Sequence, residues 1–198
     1  MDNIWPGSRV LADFLSENSS LIKDKTVLEL GAGAALPSLV ALRLGARNTV
    51  ITDFPDESIL ANIRHELQAN HMTRSAGLSS HVNGFQWGGV IRPIIELNNG
   101  QLFDVILLAE VLWKDTYSLH SKLVDSISSF LEPCGGIVLL TVVHRIVEGL
   151  HSAAHDLEFL TRLERKGFTA TLLSVTDAEE VNLEEPVGVK LFIMRRSL

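Results

Sequence analysis

The amino-acid sequence predicts an α/β fold, a doubly wound sheet with helices on both faces, and three observations carry that prediction. Strand-like runs alternate with helical patterns along most of the chain. Two of the runs are almost continuously apolar, and a glycine-rich turn joins the first run to the helical pattern behind it. Strands buried on both faces read as unbroken apolar runs, and they belong to parallel sheets covered by helices.

The runs come in the order 26–30, 48–53, a weaker one near 80–83, then 103–109 and 136–143, the last two being the nearly unbroken ones. Between them the spacing predicts helices over 36–44, 58–70, 118–131 and 153–166. Each is followed by a turn signal such as Leu44-Gly45, Pro133-Cys134-Gly135-Gly136 or Lys166-Gly167. This alternation implies right-handed βαβ units. The rhythm breaks near the C-terminus, where 168–175 and 188–194 are both strand-like and only a polar stretch separates them. The expectation is a seven-stranded sheet, mostly parallel, that ends in a C-terminal antiparallel hairpin. Residues 84–100, with several glycines, Pro93 and two asparagines, form the longest irregular candidate.

Composition sets the outer limits. A chain of 198 residues fits one domain over 1–198 and buries enough surface to need no covalent staples. The one cysteine, Cys134, excludes an internal disulfide framework and suits a reducing compartment. No run approaches the roughly 18 apolar residues of a membrane span, and the first residues lack the basic-then-apolar layout of a signal peptide. The expectation is a cytoplasmic protein with no membrane partner. A net charge of -7 argues against a nucleic-acid partner, whose affinity is built from Lys and Arg contacts to phosphate.

The strongest local signal is Val27-Leu28-Glu29-Leu30-Gly31-Ala32-Gly33-Ala34-Ala35-Leu36-Pro37, a strand entering a glycine turn that opens a helix. Gly31 and Gly33 let a ligand approach the main chain, and the emerging helix offers unpaired N–H groups. Asp53 ends the next strand, 20 residues after Gly33, where an acidic side chain accepts the two hydroxyls of a ribose. The dinucleotide fingerprint requires a third small residue to leave room for pyrophosphate, and Leu36 stands there instead. Glu29, two residues before the first glycine, suits a cofactor with an ammonium group and repels pyrophosphate, which points to S-adenosylmethionine. Two readings stand for Glu29, a carboxylate at the mouth or a structural, capping one. Asp53 likewise reads as a ribose ligand or a helix cap, although Asp56 is the better cap.

Five segments occur in order: Trp5-Pro6-Gly7-Ser8, Leu28-Glu29-Leu30-Gly31-Ala32-Gly33, Thr52-Asp53, Phe85-Gln86-Trp87-Gly88 and Leu108-Ala109-Glu110-Val111-Leu112-Trp113. Together they resemble the seven-strand, family-16 type methyltransferases, which include protein-lysine methyltransferases. The resemblance is strongest to a fungal branch once described as nicotinamide N-methyltransferase-like and related to methyltransferases of elongation factor 1A. Thr141 to Arg145 resembles that branch's Thr-His-His-Arg-Pro segment, with Val143 and Ile146 as departures.

The resemblance implies a Rossmann-like S-adenosylmethionine-dependent N-methyltransferase, residues 1–24 covering the cofactor and 25–198 forming the sheet core. By the same resemblance Trp5 closes over the methionine end, Gly31, Ala32 and Gly33 line the cofactor, Asp53 binds the ribose, Trp87 packs on the adenine and Ala109 gives a backbone contact. Glu110 and Trp113 match the family's acidic-x-x-aromatic element beside the target nitrogen. Gln86 departs from the acidic residue common before the second Trp, and the chain starts almost at Trp5, without the segment many relatives carry before it. The implied acceptor is a protein lysine or N-terminal amine, a translation factor among the candidates. A small-molecule acceptor such as nicotinamide or a fungal metabolite, and a cofactor-binding interaction protein without catalysis, are the alternatives.

The residue chemistry agrees with that reading. Methyl transfer from a sulfonium needs alignment and water exclusion rather than a protein nucleophile. Neutralising a lysine at pH 7 costs about 4.6 kcal/mol, part of which burial offsets. His144, at the end of an apolar strand, is the remaining candidate on the acceptor side. His151 and His155 stand four apart without the companions of a zinc site, so they read as a surface pair and no metal is expected.

Overall fold

The computed structural model describes residues 4–72, 79–143, 146–147, 150–151, 153–178 and 187–197. It opens on α1 (Pro6–Glu17). Pro6 takes the first helical turn, where its missing N–H has no intrahelical acceptor to lose, and Gly7, Leu11, Ala12 and Leu15 recur along one buried stripe. Then follow β1 (Thr26–Leu30), α2 (Leu36–Arg43), β2 (Asn48–Asp53), α3 (Glu57–Ala69), β3 (Ser79–Gly84), the short α4 (Arg92–Glu96) and β4 (Val105–Ala109). A 3-10 turn (Lys114–Leu119) leads into α5 (His120–Phe130) and β5 (Ile137–Val143). A small hairpin of β6 (Ile146–Val147) and β7 (Leu150–His151), α6 (Ala153–Arg165), β8 (Phe168–Ala178) and β9 (Val187–Arg196) complete the order.

Seven strands make one sheet in the order β3-β2-β1-β4-β5-β9-β8. The ladders from β3 to β5 are parallel, and β9 runs antiparallel between β5 and β8. The mostly parallel sheet with a C-terminal hairpin is the architecture that the alternating pattern predicts. Side-chain alternation along each central strand feeds two layers. Leu28 and Ile106 join Phe85, Phe130 and Phe159 on the face of α5 and α6. Val27 and Leu107 join Leu11, Leu15 and Ala41 on the face of α1 and α2.

The structure departs from expectation in two places. Residues 84–100 are not wholly irregular, since α4 forms with Pro93 in its first turn and Ile94 buried. Asn98 just beyond it is buried and accepts from the Asn48 side chain at 3.0 Å, while its own amide caps the carbonyls of Gln101 and Leu102 at 2.9 Å. Tertiary capture of that asparagine outweighs the local turn propensity. β8 also runs on to Ala178 through a register shift between Leu172 and Ser174, because pairing with β9 overrides the polar character of its end.

Phe130 meets Phe85 and Phe103 edge to face, at centroid distances of 5.1 and 6.1 Å. All three rings are buried, and Phe85 begins the loop that carries Trp87. Phe130→Ala is expected to lower unfolding stability by about 3–5 kcal/mol, checked by the midpoint of urea denaturation at unchanged slope.

Candidate active site

Parallel strands leave their ligand crevice at the carboxyl edge, where the winding direction reverses. Here the reversal falls at β1, which pairs with β2 on one side and β4 on the other. The loops that follow these three strands enclose a hollow of about 200 Å³.

The glycine loop after β1 forms one wall. Gly31 has φ 75°, and a Cβ there would stand 2.9 Å from Val111 and 3.5 Å from Trp87, so only glycine fits both torsion and space. The loop is tied to β2: the amides of Gly31 and Ala32 donate to the Thr52 carbonyl at 3.0 and 3.1 Å. Gly33 N–H donates to Asp53 Oδ2 at 2.7 Å, and Phe54 N–H donates to Oδ1 at 2.6 Å. Asp53 is therefore fixed in direction, yet each carboxylate oxygen retains accepting capacity. Asp56, not Asp53, caps α3 by accepting the Ser58 amide at 2.8 Å. The Ser58 hydroxyl and amide hold its carboxyl below the usual range.

The opposite wall comes from the end of β4 and from α1. Glu110 is buried and adopts φ 52°, a left-handed conformation unfavourable for a side chain with a Cβ and kept only where surroundings over-determine it. Two contacts do so. Its own amide donates to the Thr141 carbonyl at 3.1 Å, and its Oε1 accepts the backbone N–H of Gly7 in the first turn of α1. A helix N-terminus is a favourable place for a carboxylate. Gly7 permits the approach, because a Cβ there would fall 2.5 Å from the Glu110 side chain and 2.8 Å from the Thr141 hydroxyl. With α1 held this way, Trp5 meets Trp113 edge to face at 4.9 Å over the hollow.

Trp5, Gly31, Ala32, Gly33, Asp53 and Trp87 line this hollow, as do Ala109, Glu110 and Trp113. The sequence reasoning missed Ser8, Ala34, Val111 and Thr116, which also line it. Ser8 stands one helical turn after Trp5, and Thr116 three residues after Trp113, so spacing from the aromatic residues carried the signal. His144 lies outside the described residues. A wider depression of about 330 Å³ between α3 and β3, lined by Arg64, Gln68, Ser80 and His81, contains none of the expected residues.

Glu29 requires a correction. Assigned to the cofactor as a carboxylate at the mouth, with a structural role as the other reading, it is fully buried beneath the start of α2, does not line the hollow and takes the structural role. Its Oε2 accepts the Ser38 amide at 3.1 Å and the Ser38 hydroxyl, while Oε1 is buried without a hydrogen-bond partner. The side chain of a strand residue alternates between faces, and position 29 points under the helix rather than along the strand axis to the mouth. Burial pushes its pKa up to about 8, against the lowering effect of Ser38.

Among the described residues no group of three or more His, Cys, Asp or Glu is gathered as a metal site, and no helix is long and apolar enough to cross a membrane. His155 is exposed and stacks on Tyr117 at 3.8 Å; the side chain of His151 lies outside the described residues.

A family model described as lysine methyltransferase matches residues 2–166. A protein N-terminal and lysine N-methyltransferase EFM7 of Yarrowia lipolytica is 34% identical over 156 residues, covering 72% of this chain and 56% of that protein. The corresponding protein of Neurospora crassa is 34% identical over 192 residues, covering 93% and 65%. The chain thus spans between about half and two thirds of the length of these relatives. Among solved structures, the ribosomal protein L11 methylase of Lactobacillus delbrueckii shares the fold with a TM-score of 0.63 at 15% identity, over 96% of this chain and 79% of that one. SMU.776, solved in complex with SAH, does so with a TM-score of 0.64 at 18% identity, over 96% and 50%.

Two measurements check this geometry. A Gly7→Ala chain is expected to lose the amide contact to Glu110 and to uncouple Trp5 from Trp113, seen as a red shift of tryptophan emission without loss of helix content. Glu29 has its folded pKa above its unfolded value of 4.5, so its contribution is full below about pH 4.5 and is lost as pH rises through about 8. The total change across that window is on the order of a few kcal/mol, as expected for a buried carboxyl. Glu29→Gln is expected to flatten stability against pH across that window, read from denaturation midpoints.

Proposed function

This chain belongs to the lysine methyltransferase family, and we propose that it is an S-adenosylmethionine-dependent N-methyltransferase acting on a protein lysine or N-terminal amine. The observation that carries the proposal is the hollow at the carboxyl edge of β1, β2 and β4, in which a glycine loop, an oriented carboxylate and a pair of tryptophans converge. The names of the fungal relatives support the protein acceptor. A translation factor is the acceptor class added by the resemblance to the fungal branch. A cytoplasmic location is part of this proposal, supported by the single cysteine in the chain.

The residues present fit the cofactor. When bound, S-adenosylmethionine supplies a methyl group already activated on a sulfonium. Asp53, held by two backbone amides, has spare acceptor sites for ribose hydroxyls, and Trp87 offers a flat face to the adenine. Gly31 to Gly33 admit close approach of the ligand to the main chain. Trp5 closes over the methionine end of the cofactor, Trp113 stands in edge contact with Trp5 on the acceptor side, and both present aromatic faces that favour a cationic centre. Glu110 brings negative charge to the same wall and is positioned by Gly7, so that it orients an incoming amine. Catalysis is then chiefly alignment.

Calorimetry of the full chain with S-adenosylmethionine tests the cofactor, and Asp53→Ala is expected to weaken affinity at least about tenfold, the loss of a charge-assisted hydrogen bond, with the fold retained. Unchanged affinity removes Asp53 from the site. Incubation of a lysate with labelled cofactor is expected to yield a labelled protein band that fades with Glu110→Gln. Label confined to the small-molecule fraction overturns the protein acceptor.

A further inference from the structure

The turn that carries Trp87 into the hollow is tied to a neighbouring helix at one polar point. β3 ends at Gly84, and Phe85 behind it is anchored in the core against Phe130. The chain then reverses, the Gly89 amide donating to the Gln86 carbonyl at 2.8 Å. Gly88 takes φ 78° in this turn, the torsion that the third residue of a type II turn requires. Trp87, at the second position, is half-buried, and its ring reaches back to the glycine loop, where a Cβ on Gly31 would stand 3.5 Å from it. Among the described residues, one hydrogen bond joins 86–89 to another element: the Gly88 N–H donates to Ser126 Oγ of α5 at 2.9 Å.

Ser126 is a polar residue on an apolar stripe. It is 2% exposed and shares the buried side of α5 with Leu123, Ile127 and Phe130. A hydroxyl buried there is unfavourable unless it is hydrogen-bonded, and its proton goes to the Lys122 carbonyl one turn back at 2.9 Å, a bond open to any helical serine. That bond uses the donor and leaves the oxygen lone pairs, one of which takes the Gly88 N–H. α5 also meets the turn through Lys122, since a Cβ on Gly88 would fall 3.0 Å from the Lys122 Cβ and Cγ. Gly88 is thus glycine for space as well as torsion, and its close seating on α5 brings its N–H within reach of Ser126.

We propose that Ser126 is a positioning residue for the cofactor: by accepting the Gly88 N–H it fixes the turn that holds the Trp87 ring beside the glycine loop, where adenine packs. The inference rests on the reading of the hollow as an S-adenosylmethionine site with Trp87 at its adenine end. Ser126 does not line the hollow and acts through Trp87. Without the hydroxyl, the turn keeps Phe85 and the contact with Lys122 but loses its directional bond. The ring then samples other orientations, and binding has to order it.

Two readouts on the full chain test this, with circular dichroism and the urea midpoint as controls of fold. Alanine is the better helix former, so Ser126→Ala keeps α5. Without cofactor, Ser126→Ala is expected to increase quenching of tryptophan emission by acrylamide. The increase is absent in a Trp87→Ala background, because Trp5 and Trp113 stand on the opposite wall. In calorimetry, Ser126→Ala is expected to bind S-adenosylmethionine about threefold to tenfold more weakly than the wild type, the worth of one hydrogen bond. In the Trp87→Ala background it causes no further loss; where that background binds too weakly to titrate, the quenching decides. Unchanged quenching, unchanged affinity, or an equal effect of Ser126→Ala with and without Trp87 overturns the proposal. The quenching needs no cofactor, so a wild-type chain that fails to bind S-adenosylmethionine strikes the parent reading, whereas failure of the Ser126→Ala comparison strikes only the role of Ser126.

Discussion

Two parallel ladders meet on β1, and the site depends on that meeting. Glu29 pairs with Ile51 of β2 and with Leu107 of β4, so the chain must leave β1 and β4 toward opposite faces of the sheet. α2 packs on one face and α5 on the other. A gap opens between the two departing loops because neither can cross the other's path. The residues of the hollow stand at the ends of β2 and β4, on the segments after β1, β3 and β4, or at the start of α1.

The closure itself is local and strained. A buried glutamate with positive φ is an unfavourable backbone state, and it is balanced by the amide that α1 offers from its first turn. The arrangement couples three things that are distant in sequence: the conformation at the end of β4, the seating of α1 and the approach of Trp5 to Trp113. Loss of any one loosens the others, since Gly7 has no space for a side chain between Glu110 and Thr141.

Buried polar groups elsewhere are placed with similar economy. Glu29 and Ser38 secure the start of α2, Asn48 and Asn98 bind α4 to β2, and Thr116 with His120 braces the turn after β4. Each pair ties a strand or turn of the sheet to a helix or to the loop beside one. Directional bonds of this kind specify a unique arrangement where apolar packing alone tolerates several.

Much of this protein was legible in its sequence. Apolar runs that cannot face water on either side dictate a covered parallel sheet, and the glycines at 31 and 33 with Asp53 beyond them mark where a ligand meets the main chain. The seven strands and most of the helices between them follow from short-range pattern, Gly31, Gly33 and Asp53 from the strand–turn–helix motif, and six further lining residues from the resemblance to the methyltransferase family. Only the tertiary structure decided the rest. Whether Glu29 faces the mouth or the underside of α2 depends on which face of β1 its side chain takes. That 92–96 coils into a helix, with Asn98 just beyond it held by Asn48 from 50 residues away, appears only in the packed chain. The contacts of Gly7 with Glu110 and of Thr116 with His120 likewise belong to the packed chain, because burial and hydrogen-bond geometry exist only once distant segments have met.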